Sequence, residues 1–152
     1  MPSALQRPHV LIVSSDHDLA DFLGEGLVYA GFWTSTIASA MQVLEVFRLR
    51  SFDVMLIDAT LGGIGARELL LRLRGRSPRS SGTARSDVPA LLIAGNPAEV
   101  SPELVGGDLV SGLLVAPLDI EQIGQEITRV HTAWRTTHPD RPWADEAALG
   151  PS

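Results

Sequence analysis

The sequence predicts an α/β fold built on one doubly wound parallel sheet, and three observations predict it. Short apolar runs alternate with stretches whose apolar residues recur at helical spacing, from residue 9 to about 134. The run Asp53–Ile57 is apolar throughout after its first residue, the pattern of a strand covered by helices on both faces. Five such strands interleaved with five helices imply parallel pairing through right-handed crossovers.

The elements follow in order. His9–Val13 is a β-rich run, and Ser14, Ser15 and Asp16 after it suit a helix entry. Leu19, Phe22, Leu23 and Leu27 place a first helix, which Gly31 stops. Phe32–Ile37 reads as the second strand, and Met41, Val43, Leu44 and Phe47 mark a helix ending near Arg50. After the strand Asp53–Ile57, a Gly-rich turn (Gly62, Gly63, Gly65) leads into a helix carrying Leu69, Leu70 and Leu73. Residues 76–87 are loop by composition, and Ala90–Ala94 is the fourth strand. Two prolines and the pair Gly106-Gly107 allow only a short helix between Asn96 and Gly107. Leu113–Val115 is the fifth strand. Asp119 caps a last helix with Ile120, Ile123, Ile127, Val130 and Trp134 on one stripe. From Thr136 onward three prolines and no periodicity predict a flexible tail.

Composition narrows the function. The 152 residues are 45% hydrophobic and 20% charged, ordinary for one globular domain. No apolar run approaches the ~18–20 residues of a membrane span, and residues 1–9 hold no signal-peptide core, so the cytoplasm is expected. Cysteine is absent, which removes disulfides, thiol catalysis and cysteine-bound zinc. His9, His17, His131 and His138 are scattered without ligand spacing, so neither metal nor cofactor is expected. The net charge of −6 argues against direct nucleic-acid binding. All 12 basic residues are arginine, so Schiff-base chemistry and a P-loop lysine are excluded.

In a flavodoxin-like sheet of order 2-1-3-4-5, which suits this length, function gathers at the carboxyl ends of the strands. The residues there are Ser14–Asp16, Asp58–Thr60, Ala94–Asn96 and Ala116–Pro117. With the runs Val10–Val13, Phe52–Asp58 and Leu113–Leu118, these places resemble the receiver domain of response regulators (the CheY-like superfamily). The resemblance runs from about His9 to Val130. It implies a phosphoacceptor at Asp58, an Mg²⁺-binding acid pair at Ser14 and Ser15, and a switch hydroxyl at Ala94. It further implies a switch aromatic at Leu113 and a phosphoryl-pairing lysine at Ala116, before the retained Pro117. Boundaries follow: an N-terminal extension over 1–8, a receiver-like domain over 9–135 and a flexible tail over 136–152.

Only Asp58 and Pro117 keep the residues the resemblance implies. Phosphoryl transfer to a carboxylate needs positive charge on the non-bridging oxygens, supplied by a metal and a fixed cation. Serine hydroxyls bring no charge to hold Mg²⁺. Asp16, one residue along, is expected to cap the first helix. The expectation is therefore a non-enzymatic pseudo-receiver in two-component-type signalling. It would act by protein–protein contact with a histidine kinase, a downstream effector or a second copy of itself, with no membrane association.

Two alternatives stay open: a weakly phosphorylatable receiver using Asp58, and a small ligand-binding or enzymatic flavodoxin-like domain. Asp58 itself reads either as a turn-capping residue or as an acceptor. No helix-turn-helix is visible, so output through another chain is expected. The segment Arg72–Arg85 carries five arginines and no acid. It is expected to be a mobile solvated loop, with Arg76 and Arg79 as the residues that would meet an acidic partner. Trp143 in the tail is the other candidate docking residue.

Overall fold

The computed structural model describes residues 7–144. Its elements are β1 (His9–Val13), α1 (His17–Tyr29), β2 (Trp33–Ile37), α2 (Ala40–Val46), β3 (Val54–Asp58) and α3 (Gly65–Leu73). They continue with β4 (Ala90–Ala94), a 3-10 turn (Pro97–Glu99), α4 (Pro102–Gly106), β5 (Gly112–Val115) and α5 (Ile120–Thr137). The strands pair in parallel in the order β2-β1-β3-β4-β5, the flavodoxin-like order.

Side-chain alternation builds two cores from three strands. Leu11, Val13, Met55, Ile57, Leu92 and Ala94 point to one face and meet α2, α3 and α4. Val10, Ile12, Val54, Leu56, Leu91 and Ile93 point to the other, against Leu23 and Leu27 of α1 and Ile123, Ile127 and Val130 of α5. Every residue of β1, β3 and β4 is buried, which is why these runs are apolar without alternation. Shortening Met55 or Leu56, both fully enclosed, would cost about 2–5 kcal/mol. At the sheet edge β2 pairs on one side only, and its Trp33 and Thr36 are exposed.

Local chemistry sets the helix starts. Asp16, in extended conformation, accepts from Leu19 N at 3.1 Å and caps α1; Ser39 and Asp119 cap α2 and α5 in the same way. Before α3 the chain turns through Gly63 and Gly65 at φ 65° and 80°, which residues with a Cβ resist.

Two segments carry contacts that composition does not announce. The Arg72–Arg85 segment leaves α3 as a loop with Arg76, Arg79 and Arg85 exposed, and several of its other groups are tied to neighbours. Ser77 and Ser80 are buried, the Ser77 hydroxyl donates to Glu68 at 2.6 Å, and Ser86 N donates to Leu73 O. Arg74 donates to Ser86 O and Leu109 O. Short polar side chains satisfied by neighbouring backbone read as loop from composition alone.

The tail also packs back as far as Ala144. Helix α5 runs two residues past Arg135, and His138 stacks on Trp134 at 4.3 Å. Arg141 pairs with Asp87, and Ala144 N donates to Asp53 Oδ1 at 3.0 Å. Trp143 is half-buried, edge-on to His131 and beneath the Arg135 guanidinium, so it is no exposed docking residue. The remainder of the expected tail, 145–152, and residues 1–6 of the expected N-terminal extension lie outside the described residues.

Candidate functional site

Parallel pairing brings the strand ends to one edge of the sheet. Ser14 N donates to Ile37 O, Ala59 N to Ile93 O, and Ala116 N to Ala94 O. The positions singled out after β1, β3, β4 and β5 therefore share one edge.

Asp58 ends β3 and is buried, with 8% of its surface exposed. Its carboxylate is held by three donors. The Ser14 hydroxyl reaches Oδ2 at 2.7 Å, while Thr60 N and the Thr60 hydroxyl reach Oδ1 at 2.9 and 2.7 Å. The Ser14 oxygen in turn accepts from Asp16 N at 3.1 Å, so the serine bridges the start of α1 to the end of β3. Thr60 falls within the strand-end range Asp58–Thr60 read from the sequence, which assigns it no role of its own. An acceptor side chain two residues before the amide it caps is a common turn signal, and Asp58-Ala59-Thr60 carries it.

The other positions diverge in setting. Ser15 is exposed and Ala94 is buried at the end of β4. Leu113 is half-buried and packs against the core on the α2–α3 side. Ala116 and Pro117 are exposed and joined by a cis peptide bond. Arg76 is exposed and pairs with Asp108 at 2.6 Å; Arg79 is exposed nearby. Neither approaches Asp58 in any described contact, because the loop that carries them follows α3 and lies toward the amino edge of the sheet.

Asp58 and its surroundings do not fit the Mg²⁺ that the resemblance implies. A carboxylate has about four acceptor positions, and donors fill three of those on Asp58. The neighbouring acid, Asp16, uses Oδ1 to cap α1. Ser14 forms no nucleophile–base pair: its hydroxyl is directed to a carboxylate, not to a histidine.

A second buried acid lies at the opposite edge. Asp53, 3% exposed just before β3, accepts from His9 N at 2.7 Å and from Ala144 N at 3.0 Å. His131 Nε2 approaches it at 3.9 Å, too far for a hydrogen bond. Burial, with the Arg135 guanidinium nearby, pushes His131 down to about 4, so the ring is neutral at physiological pH.

Comparison with known proteins adds to this geometry. No family model matches the chain. The regulatory protein VirG of Agrobacterium tumefaciens (strain 15955) is 26% identical over 128 residues, covering 84% of this chain and 43% of the relative. The chain thus spans less than half the length of the curated relatives it matches. The solved structure of a sensor protein from Polaromonas sp. JS666 is 28% identical with a TM-score of 0.70, covering 84% of this chain and 98% of that one. A CheY-like response regulator receiver domain from Methylobacillus flagellatus superposes with a TM-score of 0.69 at 20% identity, covering 82% of this chain and 99% of that one.

The strand order and the placement of Asp58 at the end of β3 give the chain a CheY-like fold. In sequence it is similar to a regulatory protein and a sensor protein, at 26% and 28% identity. Among the described residues no helix is long and apolar enough to cross a membrane.

Proposed function

We propose that this chain is a response-regulator receiver domain of two-component signalling that acts by protein–protein contact, without Mg²⁺-dependent phosphorylation of Asp58 and without enzymatic activity of its own. The observation that carries the reading is the Ser14–Asp58 hydrogen bond. A hydroxyl donor stands where the resemblance calls for a metal-binding carboxylate, and it occupies an oxygen of the acceptor itself. The chain contains no lysine to stabilise a phosphoryl group, and Ala94 offers no hydroxyl to follow one. Asp58 then serves as a structural acceptor that joins the turns after β1 and β3.

Its partner in this reading is a histidine kinase or a downstream effector in the cytoplasm, or a second copy of the chain, and not nucleic acid or membrane. Contact falls on the surface around β5 and α5. Leu113, packed into the core, leaves that surface fixed rather than switched. The Asp58 carboxylate at the end of β3 favours a second reading, slow phosphorylation from a donor that needs no bound metal.

Titrating Mg²⁺ while recording amide NMR shifts tests the first reading. No saturable shift is expected at Ser14, Asp16 or Asp58 at millimolar metal. Saturable shifts confined to those residues would overturn it.

A further inference from the structure

At the amino edge of the sheet, opposite Asp58, the chain forms an open cleft of about 1100 Å³. Its walls come from the ends of α2 and α3, the segments before β3, β4 and β5, helix α5 and the segment after it. Seven of the chain's twelve arginines line it, against two aspartates and no glutamate. A protein of net charge −6 thus gathers most of its positive charge in one concavity.

The pairing inside the cleft leaves much of that charge uncompensated. Asp87 is paired with Arg141 and Asp108 with Arg76. Arg74 donates only to the neutral carbonyls of Ser86 and Leu109, and burial is the main influence that lowers its pKa. Arg50 lies over Phe52 and contacts His9 Nδ1. Among the described residues the guanidinium groups of Arg48 and Arg85 make neither a hydrogen bond nor an ion pair. Four guanidinium groups in one cleft therefore form no ion pair, although Asp87 and Asp108 act on Arg74 electrostatically. Helix C-termini attract cations, which accounts for arginines just after α2 and α3. It does not account for Arg85, which comes from a loop, or for Arg129, from within α5.

Glycine makes room for this arrangement. A Cβ on Gly75 would stand 2.8 Å from an Arg85 nitrogen, so the guanidinium lies against bare backbone.

We propose that this cleft binds a small polyanion carrying two or more phosphate groups. Arginine presents paired N–H donors that match phosphate oxygens, and a concave wall of one sign of charge concentrates an oppositely charged ligand. Four cations without an ion pair match the charge of an oligophosphate and exceed that of a simple carboxylate. They converge from separate segments onto one hollow, which suits a compact ligand better than an extended acidic peptide. The cleft also exceeds the bare phosphate chain in volume, leaving space for an attached nucleoside. Nothing at Asp58 is needed for this binding.

Isothermal titration calorimetry of the chain with tripolyphosphate, with a nucleoside triphosphate and with a glutamate-rich peptide tests the proposal. Saturable equimolar binding of tripolyphosphate, the nucleotide or both is expected, weakening as salt rises. Binding of the nucleotide at least as tight as tripolyphosphate identifies a nucleotide site; tripolyphosphate alone identifies a phosphate-chain site. Arg48→Gln with Arg85→Gln, which breaks no ion pair, should weaken binding by about tenfold or more. Arg67→Gln, outside the cleft, should not. Amide NMR shifts in the unaltered protein, centred on Gly75, Ser86 and Ser111, give a readout independent of the variants. The proposal fails if neither phosphate compound binds saturably, if the double variant folds and binds as tightly as the parent, if the shifts centre elsewhere, or if the peptide binds more tightly than both phosphates.

Discussion

The Ser14 hydroxyl donates to Asp58 Oδ2 at 2.7 Å, and both side chains are buried. The two residues are 44 positions apart, and the β1–β3 pairing brings them together. The contact sets a neutral hydroxyl against the Asp58 carboxylate. It satisfies Asp58 without a metal, and it makes the amount of negative charge at this edge an experimental variable.

Replacing Ser14 and Ser15 with aspartate together should restore that charge. A carboxylate at position 14 would face Asp58 across the present hydrogen-bond distance, where like charges repel and raise a pKa. Urea denaturation at neutral pH should show a loss of about 1–3 kcal/mol without metal, recovered in part by millimolar Mg²⁺. A double variant whose stability ignores Mg²⁺ would mean that the acid pair is not what this edge lacks.

Asp58→Asn should fold and keep its partner contacts. The amide oxygen can still accept from Thr60 N and the Thr60 hydroxyl. The amide nitrogen would donate to the Ser14 oxygen, which has a second lone pair beside the one that Asp16 N uses. One hydrogen bond, the Ser14 proton's, loses its acceptor, for a cost of about 1 kcal/mol. Chemical denaturation measures this, and affinity capture with both forms compares partners. Loss of partner binding with the fold intact would show that negative charge at Asp58 matters.

The central strands and the helix caps at Asp16 and Asp119 were legible because each is written locally. A strand buried on both faces is apolar throughout, and a cap stands beside its helix. The Ser14–Asp58 bond was not legible, since it depends on register across the sheet. Asp53 read as merely the polar start of a strand. One of its hydrogen-bond donors is Ala144, which is 91 positions away. The arginine cleft stayed hidden for the same reason. Composition exposed the cluster in Arg72–Arg85, but Arg48, Arg129 and Arg141 join it only in three dimensions.

His131 makes stability depend on pH. Its pKa, about 4 in the folded chain against 6.5 for the ordinary group, means that the unfolded chain takes up a proton first as pH falls. Stability from this residue is complete above about pH 6.5 and declines toward pH 4, by a total on the order of 2–3 kcal/mol. His131→Phe keeps a ring against Trp134 and Trp143 and leaves nothing to titrate. Denaturation midpoints of both forms between pH 7 and pH 4 should diverge, with the variant flatter. Parallel curves would contradict a buried neutral histidine.

Ending the chain after Thr137 should destabilise the domain. Asp53 would lose the Ala144 amide, Asp87 would lose Arg141, and His131 would lose the cover of Trp143. A buried carboxylate deprived of a donor costs about 1–3 kcal/mol, a fall of several degrees in Tm for a domain of this size. Calorimetry of both lengths measures the difference. An unchanged Tm would show that the packing of 138–144 contributes nothing to stability.

The central claim is that Asp58 is held by Ser14 and Thr60 and is not a metal-dependent phosphoacceptor. Intact-mass spectrometry after incubation with a small phosphodonor and Mg²⁺, with Asp58→Asn alongside, tests it most directly. The account predicts identical, unmodified masses for both proteins. A gain of one phosphoryl group that requires Mg²⁺ and is absent from Asp58→Asn would contradict it.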